Sequence, residues 1–276
     1  MFAYQGEKYM KKIKTLVAAT LAAVSCMGVF ASCQETKTVT IGYTDYAPMN
    51  YKDENGTLVG FDTELATRVF EDLGYEVRFK LIDWGNKYSE VNSGTIDCIW
   101  NGFTANCADD DGIQRSDKVD FSYYYMTNAQ CVIRLDSATE LTSASQLAGM
   151  SVAFEGGSAG DSYVAAIEGN VNEKEVVSQM DAVREVNAGT AQYAVVDLLL
   201  AKSIAGKGDF ENIAINESIE IDAEYYAIGF KKGSDLTALV NEKILEYAES
   251  GYLATLAAKY DLSNQVITDY TDQIKS

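Results

Sequence analysis

The sequence predicts an α/β fold of two lobes, each built from strands of one sheet and the helices that connect them. Short β-rich runs alternate with helical segments from Val39 onward, which is typical of a parallel sheet with crossover helices. The same alternation restarts after the aromatic run at 123–126, which indicates a second unit of this kind. The 276 residues suffice for one large or two small domains with a real core.

The first half of the chain supplies the elements of one predicted lobe. A β-rich run at 39–43 ends at a turn before Pro48, and an Asn-Gly pair within 53–57 indicates a hairpin. Apolar residues spaced by four predict a helix that ends near Gly74, namely Phe61, Leu65, Val69 and Leu73. Further along we expect a strand at 77–81, a short helix within 84–93 and a strand at 95–100.

The second half repeats the pattern. We expect a strand at 151–154 that enters a glycine-rich turn, a helix including 164–167, and a strand at 193–197. The run YYAIGFKKG at 225–233 predicts one more strand and a turn. The tail from 236 to 260 has one apolar face and predicts a helix.

Composition excludes several classes of function. Lys and Arg number 22 against 41 Asp and Glu, and the net charge of -19 disfavours binding to nucleic acid or anionic membranes. The chain has no histidine, which excludes a Ser-His-Asp triad, a Cys-His pair and any zinc site with His ligands. We expect no catalytic residues, no metal and no cofactor.

The N-terminus predicts export. Residues 1–33 combine a basic segment that begins at Met10, which we interpret as the initiator, with an apolar stretch and small residues before Cys33. This pattern is similar to a bacterial lipobox, in which Cys33 would carry the lipid. Cleavage before Cys26 is the alternative. We interpret 34–38 as a linker.

Three further cysteines show no metal-binding spacing. Cys98 and Cys131 lie within apolar runs, where a cysteine usually acts as a small buried hydrophobe. A disulfide between Cys107 and Cys131 stays open as an alternative.

Several polar and aromatic residues stand where strands end. Asp197 follows an apolar strand, where it either caps the next helix or faces a ligand crevice. Tyr46 and Trp84 each follow an Asp at a strand-to-loop junction, which is more typical of a cleft wall than of a core. The turn GGSAG at 156–160 is either a tight βα turn or a cradle for a small anion. Arg115 is ambiguous, because it follows the acidic run 109–111.

A set of motifs in fixed order carries a family resemblance. They are YAPM at 46–49, GTLVGFDTELA at 56–66, SGTIDCIWNGFT at 93–104, Arg115 six residues before Phe121, LAGMSVAFEGGS at 147–158, YAVVD at 193–197, YAIGFKKG at 226–233 and GYLATLAAKY at 251–260. Over 39–260 the chain resembles the bacterial extracellular solute-binding proteins of family 3, which serve polar amino-acid ABC transporters. Each motif alone is weak, whereas the ordered set is highly specific.

The resemblance implies a two-lobed, periplasmic-binding-protein-like fold of type II, with each lobe a βα sheet and two hinge strands between them. It implies a discontinuous first lobe at 39–126 and 227–276. The second lobe, including the hinge segments, would span 127–226.

The resemblance also implies the roles of individual residues. Tyr46 and Trp84 match the aromatics that enclose the ligand side chain, and Arg115 matches the residue that binds the α-carboxylate. Asp197 matches the acid that receives the α-ammonium. The remaining ligand-binding positions fall on two loops, at Asn101, Gly102 and Thr104 and at Ser158 and Ala159.

Three departures from the family pattern affect this site. The chain inserts ANCADDDGIQ at 105–114, which we interpret as a solvated lip. Ala159 stands where a hydroxyl is common, so its backbone N–H would make that contact. Glu155 stands where Gln is usual, which favours a ligand with a cationic or amide-bearing side chain.

The resemblance implies a monomeric lipoprotein at the outer face of the cytoplasmic membrane, or a periplasmic one. It would bind a free amino acid and deliver it to an ABC permease. The alternative is an enzyme on the same fold, dehydratase-like, with Glu155 as its acid. We disfavour a sensor ectodomain, because no apolar spanning stretch follows the last predicted helix.

Overall fold

Two sheets organise residues 37–275, the part of the chain that the computed structural model describes. Strands in this range are β1 Lys37–Tyr43, β2 Tyr51–Lys52, β3 Leu58–Val59, β4 Tyr75–Leu81, β5 Cys98–Ile99, β6 Asp120–Phe121, β7 Met126–Leu135, β8 Ser151–Glu155, β9 Asn172–Val176, β10 Tyr193–Asp197, β11 Ile213–Ile215, β12 Ala223–Tyr226 and β13 Gly229–Phe230. Helices are α1 Phe61–Asp72, α2 Lys87–Ser93, α3 Arg115–Lys118, α4 Ala159–Ala165, α5 Gln179–Asn187, α6 Leu198–Ile204, α7 Leu236–Glu249 and α8 Tyr252–Lys259. The predicted signal peptide and Cys33 lie outside the described residues. None of the described helices is long and apolar enough to cross a membrane.

The first lobe is built on a sheet of order β4-β1-β5-β13-β6. Strand β1 runs parallel to β4 and β5, whereas β13 pairs antiparallel to β5 and β6. Helix α1 buries its apolar face, which includes Phe61, Leu65 and Val69. The hairpin of β2 and β3 stands apart as a two-stranded sheet.

The second lobe is built on a sheet of order β11-β7-β10-β8-β9. Strand β8 runs parallel to β9 and β10, and β7 runs antiparallel to β10. Val132, Val152 and Val195 from three of these strands meet in one buried cluster. The α/β architecture predicted from the sequence is confirmed.

Two adjacent strands connect the lobes. The first residues of β7 pair antiparallel with β12, from Met126 opposite Tyr226 to Ala129 opposite Ala223. Strand β7 then continues into the second sheet, and the chain after β12 returns to the first sheet as β13. The lobe boundaries at 126 and 227 stay predictions.

Two predicted elements were wrong in detail. The single strand expected in YYAIGFKKG is two strands, because β12 pairs with β7 while β13 pairs with β5. The single tail helix is interrupted at Gly251, whose φ of 77° lies in the left-handed region that terminates a helix. An apolar pattern in the sequence indicates which residues are buried, but it does not indicate that the partner strand changes from β7 at β12 to β5 at β13.

The three cysteines of the described range are free. Cys98 and Cys131 are buried, as expected for small apolar side chains, and Cys107 is half-buried.

Candidate functional site

The carboxyl ends of parallel strands in both sheets meet at one small cavity. In the first lobe the loop after β5 reaches it, and in the second lobe Glu155 ends β8 and Asp197 ends β10. Open α/β sheets bind ligands at this edge. The wall is formed by Trp84, Asn101, Gly102, Thr104, Arg115, Glu155, Ser158, Ala159, Gln179 and Asp197.

All predicted binding residues except Tyr46 line this cavity. The Tyr46 ring is buried behind Gly102, where an added Cβ would come within 2.5 Å of the ring. Its hydroxyl lies 2.6 Å from that of Tyr226. The structure therefore places Trp84 on the cavity wall and the Tyr46 ring directly behind Gly102. That both rings enclose a bound ligand stays a prediction.

The acidic insert supplies the partner of Arg115. Arg115 is 1% exposed, and its Nε donates to Asp109 Oδ1 at 2.8 Å. Asp109, 7% exposed, also accepts from Lys118 at 2.8 Å. Burial acts in the opposite direction, but the charge of Arg115 and the Lys118 hydrogen bond lower the pKa of Asp109. The interpretation of the insert as a solvated lip is therefore wrong for Asp109, although 110–114 is exposed.

Arg115 keeps two N–H groups for a ligand. Its Nη1 donates one hydrogen to Thr104 O at 3.0 Å, and its Nη2 donates one to Gly157 O at 3.4 Å. A guanidinium carries five N–H donors, so each terminal nitrogen retains one. Two such donors form the fork that binds a carboxylate in bidentate fashion.

We expect Asp109→Asn to lower the free energy of unfolding by about 2 kcal/mol, because Arg115 loses its counter-charge but keeps an acceptor. Urea denaturation would measure this. The exposed neighbour gives a matched control, and Asp110→Asn should leave stability unchanged. Equal stabilities of both variants and the wild type would contradict the role assigned to Asp109.

Asp197 is held by side-chain amides. Its Oδ1 accepts from Asn128 at 3.0 Å and from Gln130, and its Oδ2 accepts from Gln179 at 2.6 Å. It makes no side-chain hydrogen bond to cap α6, so the capping alternative is wrong. Burial raises the pKa of Asp197. A buried, partly compensated carboxylate of this kind is suited to receive a cation.

Glu224 on β12 is a second buried carboxyl group that sequence reasoning missed. Its Oε2 accepts at 3.1 Å from Asn128 and from Gln130, the same amides that hold Asp197. Burial, followed by the charge of Asp197, raises the pKa of Glu224 to about 7. Strand pairing explains its position, because Glu224 lies directly opposite Asn128 on β7, and Gln130, two residues later on β7, lies directly opposite Asp197.

Lys87, beside Trp84 of the cavity wall, is another residue that sequence reasoning missed. Its ammonium lies 4.5 Å from the centre of the Tyr88 ring and 5.1 Å from that of Trp84. It donates across the cleft to Gly157 O at 2.8 Å. Burial, followed by the charge of Arg115, lowers the pKa of Lys87 to about 7.

Asn101 and Gly102 make hydrogen bonds that fix the loop after β5. The Asn101 amide donates to Thr44 O at 2.9 Å and to Asn50 Oδ1 at 2.7 Å. The Gly102 N–H donates to Asp62 Oδ2 at 2.8 Å. Burial raises the pKa of Asp62 to about 7. This loop therefore faces the cavity while its polar groups are largely engaged by the protein.

Several proteins with named ligands are similar in sequence. The arginine-binding extracellular protein ArtP of Bacillus subtilis is 28% identical over 262 residues, which is 91% of this chain and 98% of ArtP. The L-cystine-binding protein TcyJ of Escherichia coli is 25% identical, over 84% of this chain and 86% of TcyJ. A probable histidine-binding protein of Neisseria gonorrhoeae is 25% identical, over 78% of this chain and 80% of its own.

Solved structures agree with the fold. An ancestral arginine-binding protein bound to arginine has a TM-score of 0.73 at 26% identity, covering 81% of this chain and 97% of its own. A substrate-binding protein of a Streptococcus pneumoniae ABC uptake transporter with bound histidine has a TM-score of 0.73 at 27% identity, covering 84% and 95%. Residues 39–263 match the family model of bacterial extracellular solute-binding proteins, family 3. This match covers most of the chain, which therefore belongs to that family.

Proposed function

We propose that this protein is the extracytoplasmic receptor of an amino-acid ABC importer. The observation that carries the proposal is a buried Arg115 and a buried Asp197 on opposite lobes, lining one cavity. A free amino acid carries a carboxylate and an ammonium a few ångströms apart, and burial of either charge without a partner is costly. Relatives named for binding arginine, cystine and histidine support this class of ligand.

In this proposal both lobes contribute contacts to the ligand. The remaining N–H groups of Arg115 bind the α-carboxylate, and the backbone N–H of Ala159, beside Ser158, completes that contact from the second lobe. Asp197 receives the α-ammonium. Trp84 forms the wall for the side chain, with Asn101, Gly102 and Thr104 as the floor. A few charge-assisted bonds of about 1.5–3 kcal/mol each reach the roughly 8 kcal/mol of a micromolar site.

Closure of the lobes would report that the site is occupied. Hydrogen bonds outside the hinge strands cross the cleft: Lys87 and Arg115 donate to Gly157 O at 2.8 and 3.4 Å, Ser162 donates to Ala108 O at 3.3 Å, and Ser203 donates to Ala47 O at 3.3 Å. A ligand that contacts both lobes shifts the equilibrium toward the closed form. The permease would then recognise the closed surface.

We expect Lys87→Met to weaken ligand affinity by roughly 10-fold, since the closed form loses one hydrogen bond from a charged donor. Stability should not fall, because the substitution removes a buried ammonium that has no carboxylate within salt-bridge distance among the described residues. Calorimetry and urea denaturation measure the two effects separately. Loss of stability with unchanged affinity would exclude the closing role.

The N-terminus completes the proposal. Export with a lipid on Cys33 would hold a monomer at the outer face of the cytoplasmic membrane, near the permease, and without the lipid the protein would be periplasmic. Mass spectrometry of the mature protein tests this point. Replacement of Cys33 by Ser should release the protein from the membrane fraction.

The decisive experiment is calorimetry against the twenty amino acids and cystine, followed by mass spectrometry of the recovered ligand. Saturable binding with unchanged ligand supports the receptor. The rival is a dehydratase-like enzyme, which the buried Glu155 in the cavity favours as a proton donor. Turnover of a bound ligand would establish the rival, and the absence of binding by any of these ligands would refute the receptor.

A further inference from the structure

One carboxyl oxygen in the cavity has no hydrogen-bond partner. Glu155, the last residue of β8, is 2% exposed, lines the cavity, and leaves its Oε1 without a partner. The other unpartnered buried side-chain atoms in 37–275 belong to residues that do not line it. A buried acceptor without a donor costs free energy, so this oxygen indicates a donor that arrives with the ligand.

The charges around the cavity indicate the kind of donor. Arg115 is matched by Asp109, which also accepts from Lys118. Among residues 37–275, one buried cation near the cavity that is not paired in this way is then left, Lys87. It stands beside three buried carboxyl groups, those of Glu155, Asp197 and Glu224. An α-carboxylate and an α-ammonium together add no net charge, so a neutral amino acid leaves this excess of acid unchanged. A ligand with a further positive charge reduces it.

Lys87 does not satisfy Glu155. Its Nζ donates to Gly157 O at 2.8 Å and, more weakly, to Trp84 O at 3.4 Å, and no carboxylate of the described residues lies within 4.0 Å. Burial, followed by the charge of Asp197, raises the pKa of Glu155 well above its ordinary value. A cation placed against Glu155 would restore the ionised form and release a proton.

We propose that Glu155 receives the cationic side-chain group of the ligand, so that the protein selects basic amino acids over neutral and acidic ones. This inference rests on the proposed function and specifies its ligand. Trp84 lines the same cavity, and an indole ring attracts a guanidinium or ammonium group placed beside it. Acidic amino acids would add a negative charge where three carboxyl groups already lie.

The test is calorimetry of the wild type and Glu155→Gln with arginine, lysine, glutamine and glutamate. We expect the wild type to bind arginine or lysine, whichever of the two has the higher affinity, at least about 10-fold more strongly than glutamine. One charge-assisted hydrogen bond provides this factor. In Glu155→Gln this preference should disappear, since the amide can pair with a neutral side chain. Glutamate should bind weakest to the wild type.

Two controls separate the possible failures. Glu173→Gln makes the same change of charge at an exposed position of β9 and should keep the wild-type order of ligands. Circular dichroism of Glu155→Gln verifies that it is folded. A wild type that prefers a neutral or acidic amino acid, or a variant that loses affinity for all four equally, overturns the inference but leaves the receptor intact. A wild type that binds no amino acid overturns both.

Discussion

Replacement of Asp197 by Asn is expected to lower affinity for the tightest-binding amino acid by at least about 100-fold. The α-ammonium would lose its counter-charge inside a buried site, and one charge-assisted bond accounts for about 1.5–3 kcal/mol. The new amide group adds to this loss, because Asn128 and Gln179 already direct N–H donors at the carboxylate. Calorimetry measures the affinity.

Exposed Asp209, on the same lobe, provides the matched control for this variant. Asp209→Asn makes the same chemical change and should leave affinity unaltered. Asp197→Asn should remain folded by circular dichroism, because its Oδ1 still accepts from one of the amides. Retained affinity in a folded Asp197→Asn would show that the ammonium lies elsewhere.

The stability of the ligand-free protein is expected to depend on pH through Asp62. Its carboxyl is buried, with Oδ2 accepting from Gly102 N at 2.8 Å and from Tyr125 at 2.9 Å, and with Oδ1 unpartnered. Burial raises its pKa from 3.8 to about 7. The folded state therefore retains a proton that the unfolded chain releases between these values.

The stabilising contribution of Asp62 is complete below about pH 4 and is lost as the pH rises through 7. A shift of about three pKa units corresponds to about 4 kcal/mol at most. Glu224 titrates in the same direction, so only a comparison with Asp62→Asn isolates this group. We expect the unfolding free energy of the wild type, minus that of Asp62→Asn, to fall between pH 4 and pH 8. A difference that is constant over this range would show that Asp62 has an ordinary pKa.

The sequence predicts well what depends on local pattern. The apolar spacing from Phe61 to Leu73 predicts α1, and the position of Asp197 at the end of an apolar strand predicts that it faces the cavity. The family motifs predict Arg115 on the same wall. Each of these features is set by neighbours in the chain or by a motif with fixed spacing.

The features that were missed depend on contacts between distant segments. Glu224 joins the site because β12 pairs with β7, which brings it to Asn128, 96 residues earlier. In the sequence, Lys87 has the pattern of an ordinary surface residue of a helix. Its role depends on a contact with Gly157 of the other lobe, which the local sequence does not indicate. Asp109 sits in a run of acids that resembles any solvated loop, and only the approach of the Arg115 side chain distinguishes it from Asp110.

The ion pair of Arg115 and Asp109 has a consequence for the order of events. Both residues belong to the first lobe, so the guanidinium is oriented before any ligand arrives. The carboxylate of an incoming ligand would bind first to Arg115 of the first lobe, and the ammonium would reach Asp197 only when the second lobe closes. The first lobe would then govern how fast a ligand is captured, and the second lobe how long it stays before the permease receives it.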